Sequence, residues 1–150
     1  MPLTGVQRAF MKYRTDDLRI RELKELVAPE QLISTFPVTE QASETVYQGR
    51  RDIHRILREE DDRLVIVVGP CSIHDVEAAR DYAHRLVQVR DRVAQELCIV
   101  MRVYFEKPRT TVGRKGWIND PYLYGRFEIN DGRLRSRHLL VAMAEAGLPA

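Results

Sequence analysis

Apolar and polar positions recur along this chain with a period that changes from block to block, and each change marks a new element. Residues 1–15 show no periodicity and read as a tail. Thr15 to Leu26 is charged, with Leu18, Leu23 and Leu26 as its apolar positions, which suits a short strand or helix lying on another surface. Pro29 to Phe36 predicts a short helix with proline in its first turn, stopped by Phe36-Pro37. Thr39 or Ser43 then caps a helix running to about Glu59, with Val46, Ile53, Ile56 and Leu57 as one buried stripe. Leu64-Val-Ile-Val-Val68 is an unbroken apolar run rich in β-branched residues. Such a run predicts a strand covered on both faces, as in a parallel sheet. After the turn Gly69-Pro-Cys-Ser72, Asp75 is placed to cap a long helix over about 76–96, with Glu77 in its first turn. Ala79, Tyr82, Ala83, Leu86, Val93 and Leu97 mark its inward face. Cys98 to Phe105 predicts the next strand, and Asn119-Asp-Pro121 a turn. Asn130 or Asp131 caps a last helix over roughly 132–146, and Gly147-Leu-Pro149 stops it.

Strand, long helix and strand in succession predict a βαβ unit and an α/β fold. In parallel α/β architectures, ligands bind outside the carboxyl ends of the strands. Two polar clusters fall there: 69–74 after the first strand and 107–111 after the second. Neighbouring parallel strands lie about 4.8 Å apart, so Cys71 and the second cluster are expected to face one pocket.

The 150 residues suffice for one modest domain with a core. A composition of 44% apolar and 31% charged residues is that of an ordinary globular protein. A net charge of +2 lacks the signature of a nucleic-acid binder. No apolar run reaches the roughly 18–20 residues that span a bilayer, and the N-terminus lacks the apolar core of a secretory leader. Two cysteines make no disulfide framework, and the expected setting is reducing and cytoplasmic.

The positive charge is concentrated. Residues 101–116 hold five cations, Arg102, Lys107, Arg109, Arg114 and Lys115, against one carboxylate, Glu106. Cations gathered where a strand becomes a loop suggest a pocket for a small, strongly anionic ligand. A solvated basic face is the plainer alternative. Arg102 favours the pocket, because it alternates with Val103 and Phe105 in an apolar strand and would need an anion to offset its desolvation. Cys71 has three readings: a buried structural thiol, a nucleophile or a metal ligand. Its surroundings are not a hydrolase nucleophile elbow, and no Asp or His completes a triad. His74 supports the turn. Cys98 reads as core packing, His54, His84 and His138 as surface or packing residues, and Trp117 as packing for the loop. Gly113 and Gly116 are a weak sign of backbone approaching a ligand.

Two blocks carry a resemblance to a known family. Val67-Val-Gly-Pro-Cys-Ser-Ile-His-Asp75 and Met101-Arg-Val-Tyr-Phe-Glu-Lys-Pro-Arg-Thr-Thr-Val-Gly113 strongly resemble type I 3-deoxy-D-arabino-heptulosonate 7-phosphate (DAHP) synthase. Lys115-Gly116, Ile118 to Pro121, Ile129 to Gly132 and Gly147 to Pro149 extend the match, and Asp16-Asp-Leu-Arg-Ile20 is similar to the feedback-regulated bacterial members. The resemblance implies condensation of phosphoenolpyruvate with D-erythrose 4-phosphate, the first step of the shikimate pathway. It implies a (β/α)8 TIM barrel with an N-terminal extension, here residues 1–38 as extension and 39–150 as the first part of the barrel. It implies a divalent metal ion of Mn, Fe, Co or Zn type, with Cys71 as one ligand. Arg102 and Lys107 then hold phosphoenolpyruvate, Lys107 is also a proton donor, and Pro108, Arg109 and Thr110 contact the erythrose phosphate. Lys115 is a further phosphate-side cation. Asp16 and Asp17 point to an effector site for an aromatic amino acid, phenylalanine first, and the full-length protein is expected to be a homo-oligomer. No nucleic-acid or membrane partner is expected.

The departures from the family pattern are specific. The family enzyme is more than twice as long, and its remaining metal ligands, a His, a Glu and an Asp, lie on later strands. This chain alone is therefore expected neither to bind metal tightly nor to turn over. Arg114 and Trp117 stand where the family usually has Trp and Leu, and Tyr122 to Arg126 differs. The sibling synthase that uses arabinose 5-phosphate shares the barrel but has a different basic loop. A non-catalytic truncated product or regulatory fragment, docking on full-length subunits, is the alternative from another class.

Overall fold

The structure, a computed structural model, describes Tyr13 and residues 18–20, 22–106 and 116–150. Its elements in chain order are α1 (Pro29–Thr35), α2 (Glu40–Leu57), β1 (Leu64–Val68), α3 (Val76–Arg92), β2 (Leu97–Met101) and α4 (Ile129–Glu145). The two strands pair in parallel, from Leu64 opposite Leu97 to Val68 opposite Met101. The predicted βαβ unit is therefore present, with α3 as its crossover. Among the described residues, no helix is long and apolar enough to cross a membrane.

Local chemistry explains most of the boundaries. Thr39 caps α2, its hydroxyl accepting from Ala42 N at 3.2 Å. Asp75 caps α3, accepting from Glu77 N at 2.9 Å and Ala78 N at 3.1 Å. Both carry an acid in the first turn and bases in the last, as the helix dipole favours. Gly147, at φ 77°, lets the chain leave α4 in the left-handed conformation that few other residues tolerate. The start of α4 corrects the sequence reading. The helix begins at Ile129, three residues early, and neither Asn130 nor Asp131 caps it. Asn130 is used elsewhere. Its amide accepts from Val27 N and donates to Glu25 O, both at 2.9 Å, while Arg133 donates to Val27 O at 2.7 Å. Residues 25–27 are thus held on α4 through their backbone. Phe36 continues this line, stacking on His138 with ring centroids 4.8 Å apart, and its carbonyl accepts from Arg137.

The core lies between the sheet, α3 and α4. Ile73, Ala79, Ala83, Leu86, Ile99, Met101, Leu139, Met143 and Leu148 form one buried cluster. Full burial of a side chain the size of Leu139 or Met101 stabilises by about 1.5–3 kcal/mol. Leu148 is fully buried, and Pro149 O accepts from Met101 N at 2.8 Å, so the chain beyond α4 runs beside β2. Arg102 N, one residue on, bonds instead to Val68 O at 2.9 Å. Successive amides of a strand point to opposite edges, so β2 is flanked by β1 on one side and 148–149 on the other.

Three packing expectations are corrected. β1 is not covered on both faces: Leu64 and Val67 are more than 60% exposed, and Ile66 and Val68 more than a third. Its composition answers a layer that the described residues do not supply. On α2 the buried residues are Ala42 and Gly49, not the large apolar stripe; Val46 and Leu57 are exposed. Small residues let α2 approach α4 and Pro149 closely, a fit that bulk-weighted patterning overlooks. α3 ends at Arg92 rather than near 96, and β2 closes at Met101 rather than Phe105.

Candidate active site

β1 and β2 end side by side at Val68 and Met101, so the loops that follow leave the same edge of the sheet. Four contacts join those loops. Arg102 N extends the ladder to Val68 O. Gly69 lies against Arg102: a Cβ there would sit 2.3 Å from Arg102 O, a space only glycine fits. Ile73, buried in the core, donates its N–H to Tyr104 O at 2.8 Å. Arg102 Nη2 donates to Cys71 O at 3.2 Å, and its guanidinium lies over the Tyr104 ring, 5.4 Å from the centroid. Strand order leads Cys71 to be expected in one pocket with the cluster at 107–111, and that cluster lies outside the described residues; what the structure shows is Cys71 beside Arg102.

Cys71 and Arg102 are both exposed. For Arg102 this corrects the premise of desolvation. It stands one residue past β2, its cation faces solvent, and its partners are a carbonyl and an aromatic ring. Exposure leaves it free to meet an incoming anion. Cys71 is not a buried structural thiol, which removes one of its three readings; Cys98 is the buried one, and burial pushes its thiol pKa up. Beside Cys71, Ser72 Oγ and His74 Nε2 share a hydrogen bond of 2.7 Å, which fits a supporting role for His74 in this turn.

The described residues on either side of 107–115 are held together. On the near side Phe105 packs against the core. On the far side Gly116 abuts the Phe105 carbonyl so closely that a Cβ would come within 2.2 Å of it. Asn119 Nδ2 donates to Glu106 Oε1 at 3.2 Å, tying the two ends together. Trp117 is buried and packs there as expected, and buried Asp120 accepts from Gly125 N at 2.9 Å. Lys107, Pro108, Arg109, Thr110 and Lys115 lie outside the described residues, as do Asp16 and Asp17. Tyr104 and Asn119, which touch Arg102 and Glu106 respectively, are not singled out by the sequence pattern. Tyr104 reads as a strand aromatic and Asn119 as turn chemistry, and only the contact with Arg102 or Glu106 separates either from those roles.

Among the described residues, no group of three or more His, Cys, Asp or Glu side chains forms a metal site. The Cys71 thiol has the soft donor chemistry that Zn²⁺ and its neighbours accept. Asp75 is engaged as a helix cap. Among the described residues, Cys71 therefore belongs to no such group.

The model of the DAHP synthetase I family matches residues 35–149. The phospho-2-dehydro-3-deoxyheptonate aldolase, Phe-sensitive, of Escherichia coli is 56% identical over 140 residues, covering 93% of this chain and 40% of that protein. The phospho-2-dehydro-3-deoxyheptonate aldolase of Haemophilus influenzae is 48% identical over 135 residues, covering 90% of this chain and 37% of that one. The solved structure of the Francisella tularensis phospho-2-dehydro-3-deoxyheptonate aldolase superposes with a TM-score of 0.82 at 46% identity, covering 87% of this chain and 38% of that one. The chain spans about 40% of the length of the curated relatives it matches.

Proposed function

The chain belongs to the DAHP synthetase I family, and from that premise we propose that it forms the first part of a (β/α)8 barrel. That barrel condenses phosphoenolpyruvate with D-erythrose 4-phosphate to DAHP and phosphate. Residues 1–38 form the extension and 39–150 the opening of the barrel. Support for the barrel comes from the parallel β1–β2 pair, the exposed apolar β1 and the 148–149 segment running beside β2.

The observation that carries the reading is the joining of the Cys71 loop to Arg102 at the carboxyl edge of the sheet. In the reaction the enol carbon attacks the aldehyde carbon, water adds at the phosphate-bearing carbon, and phosphate leaves. Two phosphorylated substrates bring about four to five negative charges together, so cations are needed simply to assemble them. Arg102 takes the phosphoenolpyruvate carboxylate, for which a planar fork of donors is suited, and Lys107 adds a point charge beside it. Lys107 also donates the proton to the oxygen of the attacked aldehyde. Pro108, Arg109 and Thr110 hold the erythrose phosphate, with Lys115 as an outer cation. Cys71 offers one donor to a divalent ion of the Mn, Fe, Co or Zn type, and completing that site takes donors beyond the described residues. The Phe- and Trp-sensitive names of relatives support an aromatic amino acid as effector, with Asp16 and Asp17 at its site. A homo-oligomer is the proposed assembly.

The test is genetic. A chimera with this chain in place of the matching segment of the Escherichia coli relative should restore growth without aromatic amino acids to a strain lacking its own synthases. A soluble chimera that fails to do so would remove the support for this function.

A further inference from the structure

We propose that Tyr104 is a positioning residue: its ring holds the Arg102 guanidinium in the orientation that receives the carboxylate of the three-carbon substrate. This inference rests on the reading of Arg102 given above. The geometry behind it is independent of that reading. Arg102 is an exposed side chain at a loop edge, and an arginine so placed has many rotamers to lose on binding an anion. Two contacts reduce that number. Nη2 donates to Cys71 O at 3.2 Å, and the guanidinium carbon lies 5.4 Å from the Tyr104 ring centroid, within the range of a cation–π contact.

Tyr104 is itself fixed where it matters. Its carbonyl accepts from Ile73 N at 2.8 Å, and Ile73 is anchored in the core at 2% exposure. The backbone beneath the ring is thus tied to the Cys71 loop, while Tyr104 as a residue is 36% exposed and the Arg102 guanidinium lies over its ring. A contact through the π face uses no N–H of the guanidinium, so the N–H groups not given to Cys71 O remain for a carboxylate. Because the tie to Ile73 is through the main chain, replacing the side chain removes the π face without undoing the loop junction.

The experiment is steady-state kinetics on the active chimera carrying Tyr104→Phe, Tyr104→Leu, Arg102→Gln, or the last two together. Loss of an exposed cation–π contact corresponds to roughly a two- to fivefold rise in KM for phosphoenolpyruvate. Tyr104→Leu should show that rise with kcat and the KM for erythrose 4-phosphate unchanged, and Tyr104→Phe should behave as the parent. In the Arg102→Gln background, Tyr104→Leu should add nothing. An unchanged phosphoenolpyruvate KM in Tyr104→Leu, alongside a raised one in Arg102→Gln, overturns the positioning role and leaves the Arg102 reading standing. So does a Leu effect that persists in the double variant, or a Phe variant as impaired as the Leu variant. An Arg102→Gln enzyme with unchanged phosphoenolpyruvate KM overturns the reading on which the inference rests. Tyr104→Met, which keeps bulk without a π face, gives the same comparison where the Leu variant is unstable.

Discussion

Arg63 shows how one residue organises its neighbours before the first strand begins. Its guanidinium bonds both oxygens of Asp61, at 2.8–3.2 Å, and reaches Asp52 on α2 at 3.1 Å. The Asp61 carboxyl is held at about 2, below its ordinary 3.8, chiefly by the hydrogen bond from the Arg63 side chain. The folded value is the lower one. The stability this pair lends is therefore complete above about pH 4 and is lost as pH falls toward about 2. Unfolding midpoints in urea should fall over that window, and Asp61→Asn should flatten the fall. An Asn variant with the parent's full acid dependence would place the titration on other carboxylates. None of this was legible in the sequence. Asp61 and Asp62 are adjacent acids, and such a pair gives no sign of which one meets an arginine.

Among the elements, what the sequence revealed and what it hid divide along a physical line. Helix caps are local, so Thr39 and Asp75 were readable from a few neighbours. The strands were readable because a β-branched apolar run has few other uses. Burial was less so. The stripe assigned to α2 weighed large side chains, whereas the helix meets its partners through Ala42 and Gly49. Asn130 has the chemistry of a cap, yet tertiary contact with residues 25–27 claims its amide. At the junction of the two loops, Gly69 is the element that cannot change. Gly69→Ala would drive a Cβ to 2.3 Å from Arg102 O. Overpacking against backbone costs about 1–3 kcal/mol or more. The variant should lower the urea midpoint, and in the active chimera it should raise the KM for phosphoenolpyruvate through displacement of Arg102. A midpoint and KM equal to the parent's would mean that the two loops do not need this close approach.

For the molecule as a whole, of the residues assigned to the site only Cys71 and Arg102 fall among the described residues. Strand order predicts that Cys71 meets the cluster at 107–111, which lies outside the described residues; within them, Cys71 meets Arg102 and Ile73 meets Tyr104. The reason offered for Arg102, desolvation within a strand, did not hold, because a strand ends where its ladder ends and not where its apolar pattern ends. β1 carries the composition of a strand covered on both faces while the described residues leave it open. The relatives extend well beyond the part that this chain matches. The central claim is that Arg102, held beside Cys71, receives the carboxylate of phosphoenolpyruvate. It is tested most directly by phosphate release from purified chimera supplied with phosphoenolpyruvate and erythrose 4-phosphate, with the parent and Arg102→Gln measured side by side. Release should require both substrates, and Arg102→Gln should raise the KM for phosphoenolpyruvate at least about tenfold, the loss expected for a charge-assisted bidentate contact. Equal KM values in the two proteins would contradict it.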